Sequence, residues 1–211
     1  MAEHKDKYAN FAELRANEQS RDFRVVTKQR NSRTAIIAPH GGRIEPGTSE
    51  TATAIAGQDL SLALFEGLKA EKNFEDLHIT STRFDEPQCM EVVARSDFVL
   101  AIHGKKRQQN AVDEEIVYIG GLDLDLRELI TRELELADFV VQIPGPGLQG
   151  IEPGNICNRG RRGRGVQFEL TRGLRRSFFE PLYRARQQRP PPSLQRFVEA
   201  VRRGLRRGGA L

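Results

Sequence analysis

Thr34-Ala-Ile-Ile-Ala-Pro-His-Gly-Gly-Arg-Ile-Glu-Pro-Gly-Thr-Ser-Glu50 opens with the apolar run 35–38, a buried-strand pattern, and stops at Pro39. An imidazole (His40), two glycines, a guanidinium (Arg43) and a carboxylate (Glu45) follow at once. Pro46 and Gly47 then turn the chain, and Thr48 and Ser49 lead into a helical pattern over residues 50–57. Strand, polar loop and helix is the layout by which α/β proteins carry chemistry at the carboxyl edge of a sheet. The glycines let the loop fold back, so that His40 and Glu45 can face one point.

A second stretch repeats the form. Residues 97–103 are an apolar run that ends in His103 and is followed by Gly104. Outward from these two, residues 23–27, 60–65, 77–82, 115–119, 139–143 and 166–171 carry strand patterns of alternation or short apolar runs. Helical spacing appears over 10–18, 50–57, 87–95, 124–137 and 194–205, with 124–137 expected to be the longest helix. Strands alternating with helices predict an α/β single-domain sandwich, with a mixed, mostly parallel central sheet flanked by helices. The 211 residues suit one domain, expected over 1–189, with a Pro/Arg-rich extension and a short amphipathic helix over 190–211.

No apolar run approaches the roughly 20 residues of a membrane helix, and the first residues lack the apolar core of a signal peptide. Synthesis in the cytoplasm and no membrane partner are therefore expected. Cys89 and Cys157 form neither a disulfide framework nor a zinc knuckle, and read as buried, idle thiols. The net charge of +4 is concentrated in the last third, in Arg159, Arg161, Arg162 and Arg164 and again in Arg202, Arg203, Arg206 and Arg207. Such a distribution suits either a polyanionic partner or a solvated arginine face.

Four histidines are available: His4, His40, His78 and His103. His4 lies in a polar tail. His40 and His103 each close an apolar strand, so parallel strands bring both to one edge, whereas His78 at the start of its predicted strand would sit at the opposite edge. The expected metal set is His40, Glu45 and His103. Two nitrogens and one carboxylate leave a zinc ion, one per chain, an open position for water, and zinc would activate that water. Strand-end histidines also serve as ordinary hydrogen-bonding residues. Glu169, flanked by Phe168 and Leu170, is the candidate general base and then acid, or else an outward-facing residue of a half-exposed strand.

The blocks APHGGRIEPGTSE, LALFEGLK, LHITSTRFDEP, FVLAIHG, VYIGGLD, NICNR and GVQFELTRGLR together resemble the poly-γ-glutamate hydrolase family of phage and bacterial zinc hydrolases. The resemblance runs from about Tyr8 to Arg176. It implies a zinc carboxypeptidase-like fold and a metallopeptidase or amidase that cuts γ-glutamyl amide bonds with metal-activated water. It implies the same ligands, His40, Glu45 and His103, and Glu169 as the base. Zinc carboxypeptidases themselves place two residues, not four, between the histidine and the glutamate.

The polymer implied bears a carboxylate on every residue, and Arg43, Arg83 and Arg172 are the arginines expected to bind it. The expected partner is thus an acidic polymer and not nucleic acid, and the protein is expected to be a monomer that is released from the cytoplasm by lysis. Two other readings use the same residues differently: a zinc amidohydrolase acting on small N-acyl amino acids or cell-wall peptides, and a basic nucleic-acid-binding protein. Thr48 and Ser49 read as helix-capping residues, and Asp85 and Glu86 as a cap for the helix that begins at Pro87.

Overall fold

The computed structural model describes residues 6–105, 113–179 and 191–211. His4 lies outside the described residues. A seven-stranded sheet forms the centre, in the order β1-β3-β2-β4-β7-β5-β6. The strands are β1 (Phe23–Lys28), β2 (Thr34–Gly42), β3 (Ser61–Gly67), β4 (Phe98–Gly104), β5 (Ile116–Gly120), β6 (Val140–Gln142) and β7 (Val166–Leu170). β3, β2, β4 and β7 are mutually parallel, β1 pairs antiparallel with β3, and β5 pairs antiparallel with β7 and parallel with β6. The sheet is mixed with a parallel centre, as the two apolar runs ending in His-Gly require if their histidines are to meet.

Alternation along the strands sorts side chains onto two faces. Ile36, Ala38, Leu100, Ile102, Val166, Phe168, Val117 and Ile119 join one core with helices α2 (Thr48–Ala56), α5 (Leu124–Glu135), α6 (Arg172–Phe178) and α7 (Pro192–Arg207). Ala35, Ile37, Ala63, Phe65, Val99 and Ala101 join a second core with α1 (Phe11–Asn17), α3 (Asn73–Leu77) and α4 (Pro87–Ala94). The result is a single α/β domain of three layers.

The helix ends follow the sequence chemistry. Asn10 accepts the Glu13 N–H at the start of α1, and Glu86 accepts the Cys89 N–H at the start of α4, ahead of which Pro87 lacks an N–H to satisfy. Residues 77–82 do not form the expected strand. Leu77 ends α3, His78 is extended, and residues 81–83 turn with the Arg83 and Phe84 N–H groups on the Thr80 carbonyl, so the stretch is unpaired in the sheet. Its alternation reflects Leu77 and Ile79, both buried in the second core, while its backbone is spent on other partners: Thr80 N–H on Asp6 and the Ser81 carbonyl on Ile156 N–H.

The longest helix among the described residues is α7, not the one at 124–137. α7 buries Leu194, Phe197, Ala200, Val201 and Leu205 in the first core. Phe197 meets Phe139, Phe168 and Phe178 at centroid separations of 5.4, 6.3 and 5.1 Å. Its arginines are held by acids of the domain: Arg202 by Asp59, and Arg203 and Arg207 by Glu133. The 159–164 arginines are also engaged, Arg159 on the Phe84 carbonyl, Arg161 on Asp97, and Arg162 and Arg164 on Asp123. Both cysteines are free and buried; burial pushes the Cys157 thiol up to about 12 and raises Cys89 as well.

Replacing Phe197 with Ala removes the ring that joins α7 to β7 and α6. The expected loss is about 3–5 kcal/mol of unfolding free energy, measured by urea denaturation. A loss below about 1 kcal/mol would show α7 to be only loosely docked.

Candidate metal and catalytic site

β2 runs on past Pro39 through His40 to Gly42, with a register shift against β3 between Ala38 and Gly41. That irregularity re-aims the strand end and carries His40 inward, where it is 2% exposed. Gly42 takes a φ of 62°, a left-handed value that glycine adopts without a Cβ penalty, and its N–H donates to Ser49 Oγ. The Thr48 hydroxyl donates to the Glu45 carbonyl. The N-cap of α2 is Gly47, so Thr48 and Ser49 tie the loop back onto itself instead of capping the helix.

Glu45 is thereby swung over the end of β4. Its Oε2 accepts the Gly104 N–H at 2.8 Å and lies 3.8 Å from His103 Nδ1, while its Oε1 lies 3.4 Å from His40 Nδ1. The two Nδ1 atoms of His40 and His103 face each other at 3.1 Å. Gly104 must be a glycine for this approach, because a Cβ there would stand 2.7 Å from Arg175 Cζ and 3.0 Å from Glu45 Cβ. The three residues expected from the sequence are therefore together, and all are buried.

Their outer contacts set the tautomers. His40 Nε2–H donates to the Ile79 carbonyl at 2.8 Å, so Nδ1 is the nitrogen turned toward Glu45 and His103. His103 Nε2 contacts Ser81 Oγ at 3.3 Å. Two ring nitrogens and a carboxylate facing one another need a proton or a cation between them. Burial disfavours charge on every member, yet Glu45 is pulled down to about 2 because His40 and His103 face it. His40 is raised by the same carboxylate in spite of its burial, and His103 is held down at about 3 by burial and by the charge on His40. The donor set and its spacing fit a borderline-soft divalent cation such as zinc.

His78 is not at the far edge of the sheet. Its ring lies 4.0 Å from that of His40, and His78, His40 and Glu45 each offer a ligand atom within 4.8 Å of the others. The sequence misplaced it because residues 77–82 were read as a strand. His78 Nδ1 meets Asp6 at 2.7 Å, the kind of carboxylate contact that orients a ligating imidazole, so His78 stands beside His103 as a candidate third ligand to His40 and Glu45.

Glu169 stands directly opposite His103 in the β4–β7 register. It is buried, and Gln167 Nε2 donates to its Oε1 at 3.2 Å. Burial first, and then the charge of Glu45, push its pKa well up, while the charges of Arg175 and Lys105 oppose that shift. A carboxyl poised in this way suits proton transfer.

The three expected substrate arginines are placed differently. Arg43 is exposed and its guanidinium donates to the Lys69 carbonyl; Arg83 pairs with Asp6; Arg172 is exposed in the first turn of α6. Arg175 is a basic residue of the centre that the sequence does not single out. Buried in α6, it donates to the carbonyls of Leu170, Pro46 and Lys105, clamping three segments of the site. The helical spacing of Thr171, Leu174, Arg175 and Phe178 was the available signal, and α6 itself was missed.

The sequence model of the family described as poly-gamma-glutamate hydrolase matches residues 8–200, well into α7. The protein YndL of Bacillus subtilis (strain 168) is 37% identical over 177 residues, 82% of this chain and 67% of YndL. A solved bacteriophage poly-gamma-glutamate hydrolase superposes with a TM-score of 0.88 at 28% identity, covering 97% of this chain and 99% of that one. A zinc-free apo structure of YNDL gives the same TM-score at 34% identity and the same coverage.

Asp6 reaches the site through His78, and its pKa is lowered to about 2. Burial opposes ionisation, but the bonds from His78 and Thr80 and the charges of His78 and Arg83 overcome it. A depressed folded pKa gives stability that is present above the unfolded value of 3.8 and is lost as pH falls through about 2. Asp6→Asn should therefore lower unfolding free energy at pH 5, with the gap to wild type narrowing toward pH 2. A pH-independent gap in denaturant titrations would contradict this.

Proposed function

The chain belongs to the poly-γ-glutamate hydrolase family, and from that premise we propose that it is a zinc-dependent hydrolase cutting γ-glutamyl amide bonds of poly-γ-glutamate. The observation that carries this reading is the buried meeting of His40, Glu45 and His103 at the carboxyl edge of the sheet, one strand from Glu169. That a solved relative is specified as zinc-free makes zinc the metal to test first.

His40, Glu45 and His103 would hold the ion, with His40 offering Nδ1 because its other nitrogen is committed to Ile79. Zinc, when bound there, supplies Lewis acidity that lowers the pKa of a coordinated water and polarises an amide carbonyl. The Gly104 N–H and the Arg175 clamp keep Glu45 and the two strand ends in place. Glu169 takes the proton released by the attacking water and delivers it to the amide nitrogen as the C–N bond breaks. The products are a γ-carboxylate on one fragment and a free amine on the other. Gln167 fixes the rotamer of Glu169 through its amide. His40, Glu45, His103 and Glu169 thus carry the chemistry, and Arg43, Arg83 and Arg172, on the surface around it, are the arginines proposed to attract the acidic chain.

Purified protein should contain about one zinc per chain, and His103→Ala should lose it. Zinc-replete protein should shorten poly-γ-glutamate in size-exclusion chromatography, producing one amine per cut. Glu169→Gln should retain zinc while kcat falls about 10²–10⁴-fold. Zinc-replete wild type that leaves the polymer intact would sink the substrate assignment. Protein that takes up no zinc would sink the metal assignment.

A further inference from the structure

The polar row that begins at the metal-site histidines does not end at Glu169. Glu169 faces His103 on one side, in the β4–β7 pairing, and Tyr118 on the other, in the β7–β5 pairing. Residues paired across a ladder project to the same face. Here it is the face opposite Ile102, Phe168 and Ile119, which are buried in the first core. The order across the sheet is therefore His103, Glu169, Tyr118.

Lys105 closes this row. It lies just beyond His103 and Gly104, its N–H donates to the Leu170 carbonyl, and its carbonyl receives Arg175. These two backbone bonds fix where the side chain starts. Its Nζ sits 3.7 Å from the centroid of the Tyr118 ring, a cation–π contact that fixes where the side chain ends. Both residues are half-buried. Among the described residues no carboxylate lies within ion-pairing distance of the Lys105 ammonium, and the Tyr118 hydroxyl has no hydrogen-bond partner. Among the described residues, the half-buried ammonium acts on Glu169 through its charge but makes no ion-pair contact, and the phenol beside it has no partner, an arrangement able to receive an anion.

The chemistry of a γ-glutamyl amide indicates which anion. In such a polymer the scissile nitrogen is attached to the α-carbon of the next residue, and that same carbon bears the free α-carboxylate. With the carbonyl at the His40–Glu45–His103 centre and the nitrogen at Glu169, the next group along the row is this α-carboxylate. On the reading of the site given above, we propose that Lys105, oriented by Tyr118, binds the α-carboxylate of the residue on the leaving-amine side of the cut bond. The contact makes Lys105 a specificity-determining residue: it requires a free carboxylate on the carbon attached to the leaving nitrogen.

The test compares two short γ-glutamyl oligomers. They differ only in whether the leaving-side residue carries a free α-carboxylate or its carboxamide. Wild type should favour the acid by about 10–100-fold in kcat/KM, the range of a charge-assisted contact. Lys105→Met, which keeps the stem and removes the charge, should bring that ratio close to one while zinc content stays unchanged. A ratio unaltered by the substitution overturns the assignment. If zinc-replete wild type cleaves neither oligomer, the hydrolase reading fails separately, and calorimetric binding of the same pair decides the subsite. Tighter binding of the acid that depends on Lys105 upholds the anion site; equal binding of both compounds by wild type overturns it.

Discussion

A buried carboxylate has to be matched, and in this fold the match for Glu45 is what the sheet edge is built around. Leaving an unpaired carboxylate in the interior costs several kcal/mol. Glu45 meets the Gly104 N–H and two imidazoles, each from a different segment. The irregularity of β2, the left-handed turn at Gly42 and the missing side chain at Gly104 all serve that one convergence. Arg175 locks the same region by donating to the carbonyls of Leu170, Pro46 and Lys105, one in each of three segments.

Around this centre, charges of one sign are set against the other at short range. His40 and Glu45 favour ionisation in each other, His103 is kept neutral, and Glu169 is pushed toward its protonated form. Such divergence among neighbouring titratable groups is what the proposed division of roles needs, three ligands and one proton carrier. The basic C-terminal segment belongs to a different kind of structure. Its arginines cross from α7 to acids on α5 and beyond α2, while the apolar stripe of the same helix fills the first core. Its charge therefore serves packing between elements.

Much of the site was readable from residues alone. Two apolar runs ending in His-Gly fix strands whose ends must carry their histidines, and Glu45 follows one of them within a glycine-containing loop. The alternation of 166–170 placed Glu169 in a strand, though not which face it would occupy. What misled was 77–82, where the same alternation arises in chain that is anchored by Leu77 and Ile79 but pairs with no strand. His78 was put at the wrong end of the molecule for that reason. Arg175 was hidden in a run of arginines, where composition does not distinguish the residue whose helical face turns inward.

The sequence by itself determined the α/β class, the strands that end in imidazoles and the loop that returns Glu45 toward them. These are consequences of local periodicity and of backbone chemistry at glycine and proline. Only the tertiary structure decided that β4 lies between β2 and β7, with β5 antiparallel on the far side. That strand order sets His103 beside Glu169 and Glu169 beside Tyr118. The reason is physical: neighbours across a sheet are chosen by the burial of both faces over the whole domain, and no local pattern records that choice.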